Sequence, residues 1–119
     1  MTRIKAYQEH SIATQSKGRL IVLLYDGAVK FLRQALTETD RQAWDARARF
    51  LHKAAAIIDE LDLCLDMDAG GDIAVNLRSL YGFVRRHLTQ ACARKDGEAI
   101  REVIRILEEL NEGWKAITA

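Results

Sequence analysis

The chain has 119 residues and a net charge of +1, with 18 basic and 17 acidic side chains mixed along its length. This length fits one ordinary domain, and the balanced charge argues against a dedicated nucleic-acid binder, which typically carries a basic excess. No apolar run approaches the roughly 20 residues that cross a bilayer, and the N-terminus lacks the apolar core of a signal peptide. We therefore expect a cytoplasmic protein with no nucleic-acid partner and no membrane insertion.

Composition and spacing predict helices from Ser16 onward. There is no proline, and good helix formers outnumber Val and Thr, which favours an all-α fold. The first helix is predicted to begin at Ser16, a suitable N-cap. Residues 1–15 contain few apolar side chains, so they are predicted to form a mobile leader that can dock onto the bundle. The predicted core stripe of the first helix is Leu20, Leu24, Ala28, Phe31 and Ala35.

The run of residues 20–25 is the most informative stretch of the sequence. All six of its residues are apolar or aromatic. Because successive helix residues are about 100° apart, such a run covers every side of the helix. A helix that is apolar on every side must be covered on every side, so we expect one of its covers to belong to another molecule.

Three further helices follow in the same way. Asp40 is expected to cap the second helix and Asp72 the third, while the fourth runs from about Gly97 to Ile117. The pair Gly70-Gly71 predicts a turn in which either glycine can take a positive φ. The predicted core stripes are Trp44, Ala48, Leu51, Ala55, Ile58, Leu61 and Leu65, then Ile73, Leu77, Leu80, Val84, Leu88 and Ala91, then Ile100, Val103, Leu107, Leu110, Trp114 and Ile117.

Four helices joined by short turns predict a single domain at residues 16–119, an antiparallel up-and-down four-helix bundle. Some apolar side chains fall outside the stripes and would form a surface patch if they lie together, which on a monomer usually marks an interaction site. These side chains are Ile21, Val22, Leu63, Phe83 and Ile106.

Residues capable of catalysis or metal binding form no recognisable constellation. Asp59, Asp62 and Asp66 can share a helix face and could ligate a metal, but two-metal bundles use Glu-x-x-His motifs, which the sequence lacks. A solvated acidic face is the favoured interpretation, and we expect neither enzymatic activity, nor a cofactor, nor a metal. The histidines lack ligand spacing and the cysteines are interpreted as reduced, buried side chains. These residues are His10, His52 and His87, and Cys64 and Cys92.

For several polar and aromatic residues, two interpretations remain open. Asn76 is equally suited to the surface or to bonding a partner's backbone. Tyr25 and Tyr81 suit core packing and interface contacts alike. Trp44 and Trp114 fall at stripe positions, so both are predicted in the core.

Short blocks distributed over nearly the whole chain form a recognisable series. The blocks are Ile4-Lys5-Ala6-Tyr7, Leu20-Ile21, Leu24-Tyr25-Asp26-Gly27-Ala28, Ile57-Ile58-Asp59, Gly70-Gly71-Asp72-Ile73-Ala74, Asn76-Leu77, Leu80-Tyr81, Ala99-Ile100, Glu102-Val103 and Trp114-Lys115-Ala116-Ile117. In this order and spacing they resemble the FliS family, the flagellar secretion chaperones for flagellin. One departure is Lys17 after Ser16, where many members have proline, a residue that would only pre-set the first helical turn.

The resemblance implies a cytoplasmic export chaperone. Such a protein binds the disordered C-terminal segment of flagellin 1:1, prevents premature polymerisation and presents the subunit to the flagellar export gate. Recognition would couple folding of the client to binding in an apolar groove, with Ile4 and Tyr7 as a displaceable lid. The expected client-binding residues are Ile4, Tyr7, Leu20, Leu24, Tyr25, Ile58, Leu61, Asn76, Leu77, Tyr81 and Val84.

Two rival functions remain at this stage. In the first, the spare apolar face closes a homodimer of the empty protein, and the chain is a self-associating module without a flagellin client. In the second, the bundle is a metal-dependent enzyme.

Overall fold

The computed structural model describes the backbone of residues 2–118 and the side chains of residues 17–118. It contains four helices, α1 (Thr2–Asp40), α2 (Trp44–Leu63), α3 (Gly71–Ala93) and α4 (Glu98–Thr118). Each helix packs against two others, so that α1, α2, α3 and α4 form a closed ring in chain order. Short turns between sequential neighbours make the arrangement antiparallel. The predicted all-α four-helix bundle is confirmed, and none of the helices in residues 2–118 has the length and hydropathy of a membrane span.

The first helix differs from its prediction in start and register. It begins at Thr2, so Ser16 lies inside it and not at its N-cap. Leu20, predicted in the core, is 50 % exposed, and Leu24 is only partly buried. Spacing alone does not select between adjacent registers when consecutive apolar residues point in every direction. Among the apolar residues of α1 from 17 to 40, those that are buried are Ile21, Tyr25, Ala28, Leu32 and Ala35.

The starts of α2 and α3 also differ from the predicted caps. Asp40 is the last residue of α1, and Ala43 precedes α2 without a side-chain hydrogen bond. Asp72 lies in the first turn of α3, behind Gly70, where a carboxylate still interacts favourably with the helix dipole. The predicted glycine turn is confirmed, because Gly71 has a φ of +53°.

The remaining core stripes agree with the predictions only in part. The predicted stripe residues that are only partly buried are Trp44, Ala48, Leu65, Leu77, Leu80, Leu110 and Trp114. Ile73 at the start of α3 and Ile117 at the end of α4 are 71 % and 73 % exposed. Both belong to terminal turns, where a helix has fewer neighbours to cover it. The predicted stripe residues that are buried are Leu51, Ala55, Ile58, Leu61, Val84, Leu88, Ala91, Ile100, Val103 and Leu107.

A buried arginine holds the opposite end of the bundle together. Arg47 is 2 % exposed, and its Nε donates to Thr39 Oγ1 at 2.8 Å. Its Nη1 donates to the Ala91 carbonyl at 2.7 Å. Its Nη2 donates to the carbonyls of Arg94 at 3.0 Å and Asp96 at 2.8 Å. The last carbonyls of a helix have no hydrogen-bond donor within the helix. The Arg47 guanidinium supplies such donors at the end of α3. Because Arg47 lies on α2 and also binds Thr39 on α1, it joins the three helices.

Candidate functional site

An open groove with a volume of about 380 Å³ lies at the end of the bundle where α2 ends and α3 begins. All four helices contribute to it, because the C-terminal turns of α4 and residues 17–21 of α1 reach the same end. A mostly apolar concavity with a few polar groups is typical of a binding site. Its apolar lining consists of Ile21, Leu61, Leu65, Ile73, Leu77, Tyr81, Trp114 and Ile117.

Two glycines shape the walls of this groove. Gly18 is buried, and a Cβ at this position would overlap the side chain of Thr118. The glycine therefore allows α1 and the end of α4 to approach closely. At the other wall, a Cβ on Gly70 would lie 2.6 Å from the backbone oxygen of Asp66, so a side chain there would displace the α2–α3 turn.

A buried pair of tyrosines lies at the groove, where Tyr81 is part of the lining and Tyr25 is not. The hydroxyl oxygens of Tyr25 on α1 and Tyr81 on α3 are 2.6 Å apart and hydrogen-bonded. This bond joins two helices that are diagonal in the ring. Tyr25 has no exposed surface, and Tyr81 is 3 % exposed. Core packing is therefore confirmed for both tyrosines, and Tyr81 also lines the groove, so its contact with a partner stays a prediction.

Removing one hydroxyl of this pair is expected to cost more than removing both. Tyr25→Phe leaves the Tyr81 hydroxyl buried without its partner, a penalty of about 1–3 kcal/mol, whereas the double change to Phe is nearly neutral. Urea unfolding of the two single variants and the double variant measures the coupling. Equal, additive losses would show that the two hydroxyls do not depend on each other.

The same pair predicts a loss of stability at alkaline pH. Burial raises the pKa of the Tyr25 and Tyr81 hydroxyls above their usual value. The unfolded chain therefore releases these protons at lower pH than the folded chain. Their contribution to stability is full below pH of about 10 and is lost as pH rises above it. Thermal unfolding from pH 8 to 11 should show this decline, and the Tyr25→Phe/Tyr81→Phe double variant should show less of it.

The predicted client-binding residues divide into three groups. Leu61, Leu77 and Tyr81 line the groove. Leu20 and Asn76 are exposed, while Leu24 is partly buried. The last group has no exposed surface and lies in the core. It comprises Tyr25, Ile58 and Val84. The side chains of Ile4 and Tyr7 lie outside the described residues.

Sequence reasoning missed the residues that form the groove rim. Ile73, Trp114 and Ile117 were all predicted in the core. All three line the groove. Ile21 was predicted outside the stripes, but it is 9 % exposed and lines the groove as well. The sequence positions of Ile73 and Ile117 could have indicated their exposure. Ile73 is the first residue of its stripe and Ile117 is the last of its own, and these two ends lie together in an antiparallel bundle.

An apolar row continues from the groove between α3 and α4, and we name it the α3–α4 seam. At its far end His87 Nε2 lies 3.1 Å from Glu102 Oε2, linking the two helices. The Phe83 ring lies against the His87 ring with centroids 4.6 Å apart, and Phe83 is 37 % exposed. Two members of the seam lie on α4 and are partly buried. Leu110 was predicted in the core stripe of α4, and Ile106 was predicted outside it. The seam consists of Leu77, Leu80, Phe83, Ile106 and Leu110.

The three aspartates do not share one helix, because α2 ends at Leu63 and Asp66 lies in the turn that follows. Asp59 pairs with Arg85 at 2.9 Å and Asp62 with Arg78 at 3.1 Å. Asp66 Oδ1 accepts hydrogen bonds from two backbone amides of the following turn. Within the described residues no cluster of three His, Cys, Asp or Glu side chains has the geometry to hold a metal ion.

The cysteines are both free, as predicted, but they are not both buried. Cys64 is partly buried at the groove, whereas Cys92 is exposed on α3. Trp44, predicted in the core, is likewise only partly buried. Its ring lies 5.3 Å from Lys95 Nζ, a typical cation–π distance.

Comparison with known proteins assigns the family. The family model for flagellar protein FliS matches residues 1–119. The flagellar secretion chaperone FliS of Salmonella typhimurium is 39 % identical over 97 % of this chain and 89 % of its own length. The flagellar secretion chaperone FliSB of Pseudomonas aeruginosa is 34 % identical over 99 % of this chain and 97 % of its own. FliS of Vibrio cholerae is 33 % identical over 96 % and 87 %. The match to the family model extends over residues 1–119 and so includes the four-helix bundle and its groove. The chain belongs to the FliS family of flagellar secretion chaperones.

Proposed function

We propose that this protein binds the disordered C-terminal segment of flagellin in its groove and along the α3–α4 seam, with 1:1 stoichiometry. The observation that carries the proposal is the exposure of two large apolar side chains, Ile73 and Ile117, at the rim of an apolar groove. Soluble monomers rarely leave such surface contiguous and open unless a partner covers it. The client would fold into short helices as it binds, as in other helix-in-groove complexes.

Binding of this kind needs no chemical step. Affinity comes from apolar area that both chains remove from water, at about 25 cal/mol per Å². It is reduced by the entropy cost of ordering the client. While held in the groove the client segment is unable to pair with other flagellin subunits. The complex would therefore prevent premature polymerisation and deliver the subunit to the flagellar export gate from the cytoplasm.

The predicted client-binding residues take different roles in this proposal. Side chains in or beside the groove would contact the client directly, and the fully buried ones would act by setting the shape of the floor. The direct contacts would be Leu61, Asn76, Leu77 and Tyr81, together with Ile73 and Ile117. Leu20 and Leu24 lie on α1, do not line the groove and are outside the seam, so they take no part in this proposal. Tyr25, Ile58 and Val84 are the supporting residues.

We also propose that residues 1–15 regulate the groove, with Ile4 and Tyr7 occupying it until the client displaces them. This idea rests on the family resemblance and on the two large apolar residues in an otherwise polar segment. Deletion of residues 1–12 should increase binding of an apolar dye and change client affinity. Unchanged dye binding and affinity would refute the lid.

Titration calorimetry with a peptide of the last few dozen flagellin residues tests the main proposal. We expect a 1:1 event with a strongly negative heat-capacity change, the mark of coupled folding and apolar burial. Absence of binding by the full-length chaperone would refute it.

Sedimentation of the same samples tests the rival homodimer. A dimer that persists unchanged when the peptide is added would favour the self-associating module. A monomeric peptide complex supports the chaperone.

A further inference from the structure

A second apolar surface lies on the opposite side of the bundle from the α3–α4 seam. In the ring of four helices, the edge formed by α1 and α2 is opposite the edge formed by α3 and α4. On this edge Leu20 and Leu23 are 50 % and 65 % exposed, and neither lines the groove. We name the surface the α1–α2 patch, and it consists of Leu20, Leu23, Leu24, Phe31, Phe50 and Ile57.

Contacts between α1 and α2 make this patch continuous. The rings of Phe31 and Phe50 stack with centroids 6.3 Å apart. A Cβ on Gly27 would lie only 3.3 Å from Ile57 Cδ1, so the two helices are close and the surface has a shallow notch at the glycine. Leu20, Gly27 and Phe31 follow one side of α1 over three helical turns, about 17 Å.

The border of the patch is basic. Arg19 and Lys30 follow the outer side of α1, and Lys53 lies on α2 with its Nζ 5.5 Å from the Phe31 ring centroid and 5.7 Å from that of Phe50. Arg49 is one turn from Lys53. None of these four cations has an ion-pair partner among the side chains of residues 17–118. Glu60 is an acidic side chain on the α2 border, and the four cations outweigh it.

We propose that the α1–α2 patch docks an acidic amphipathic helix of a partner protein. A helix laid along α1 would place its apolar stripe on Leu20, Leu23 and Phe31 and its carboxylates opposite the cations on both long sides. The length of the row, its straight course and the notch at Gly27 fit a helix, and the four cations along its border select an acidic one. Because this surface is separate from the groove, one bundle binds the client on one face and the partner on the other.

Two designed peptides test the proposal without requiring the natural partner. Both are fluorescent helices of roughly 18 residues, five turns, with the same leucine stripe, flanked by Glu in one and by Lys in the other. Against the full-length protein, fluorescence anisotropy should show the Glu peptide binding at least tenfold tighter than the Lys peptide, with affinity falling as salt rises. Leu23→Ser and the double variant Lys30→Glu/Lys53→Glu should each weaken the Glu peptide at least tenfold.

A matched control separates this surface from the client groove. Ile73→Asp/Ile117→Asp alters the groove and should leave affinity for the Glu peptide unchanged. Loss of Glu-peptide binding in that control, or equal affinity for both peptides, would overturn the proposal. Binding of phosphatidylglycerol vesicles without binding of the Glu peptide would assign the patch to a membrane, and a dimer abolished by Leu23→Ser would assign it to a second copy. Either result would overturn the docked helix.

Discussion

Replacing Arg47 by Ala is expected to lower the free energy of unfolding by about 3 kcal/mol or more, because several buried or partly buried acceptors lose a charged donor together. The guanidinium satisfies the Thr39 hydroxyl and three backbone carbonyls. Each buried acceptor left without a donor costs about 1–3 kcal/mol, less where water enters. For a domain of this size such a loss lowers Tm by roughly 10 °C or more.

Two further variants test whether this geometry is the cause. Arg47→Lys keeps the charge but offers a compact ammonium in place of the planar fork, so it should recover only part of the loss. Arg49→Ala removes an exposed arginine from the same helix and should change stability by less than about 0.5 kcal/mol. Thermal and urea unfolding of the three variants provides the comparison. If Arg47→Ala and Arg49→Ala were equally mild, the buried hydrogen bonds would not stabilise the α3 end.

The double variant Ile73→Asp/Ile117→Asp is expected to lower affinity for the flagellin C-terminal peptide at least a hundredfold. Each isoleucine offers about 1.5–3 kcal/mol of apolar burial to a client, and an unpaired carboxylate in its place must be desolvated when the client binds. The free protein should fold normally, because both side chains are more than two-thirds exposed. Titration calorimetry measures the affinity, and circular dichroism verifies the fold.

Leu63→Asp is the matched control for that variant. Leu63 is 76 % exposed near the same end of the bundle but does not line the groove. The Leu63→Asp variant should therefore bind the peptide with an affinity within about threefold of the wild type, a difference below 1 kcal/mol. If Leu63→Asp lost as much affinity as the rim variant, the effect would come from general surface charge and the groove would not be the client site.

Much of the fold could be read from the chain because helix periodicity and turn chemistry are local. The glycine turn at Gly71 and the last helix, predicted at about 97–117 and observed at Glu98–Thr118, depend on the propensities of neighbouring residues. The register of α1, in contrast, does not depend on neighbouring residues alone. Among six consecutive apolar residues, the choice between Leu20 and Ile21 depends on where α2 and α4 lie.

The groove shows the same limit more clearly. Its existence was inferred from surplus apolar surface, and three residues of the predicted client-binding set, Leu61, Leu77 and Tyr81, line it. The rim residues Ile73 and Ile117 were assigned to the core, because a stripe does not reveal where the neighbouring helix ends.

The sequence by itself determined the helical class, the number of helices, the antiparallel order and the family, since these depend on periodicity, turn residues and blocks in fixed order. Only the tertiary structure decided which apolar residues remain exposed and which polar ones become buried. Arg47 reaches carbonyls more than 40 positions away in the chain, and Asn111, 4 % exposed, donates to Asp26 across the α1–α4 contact. The physical reason is that burial is a property of helices packed in space, and residues far apart in sequence create the environment that sets it.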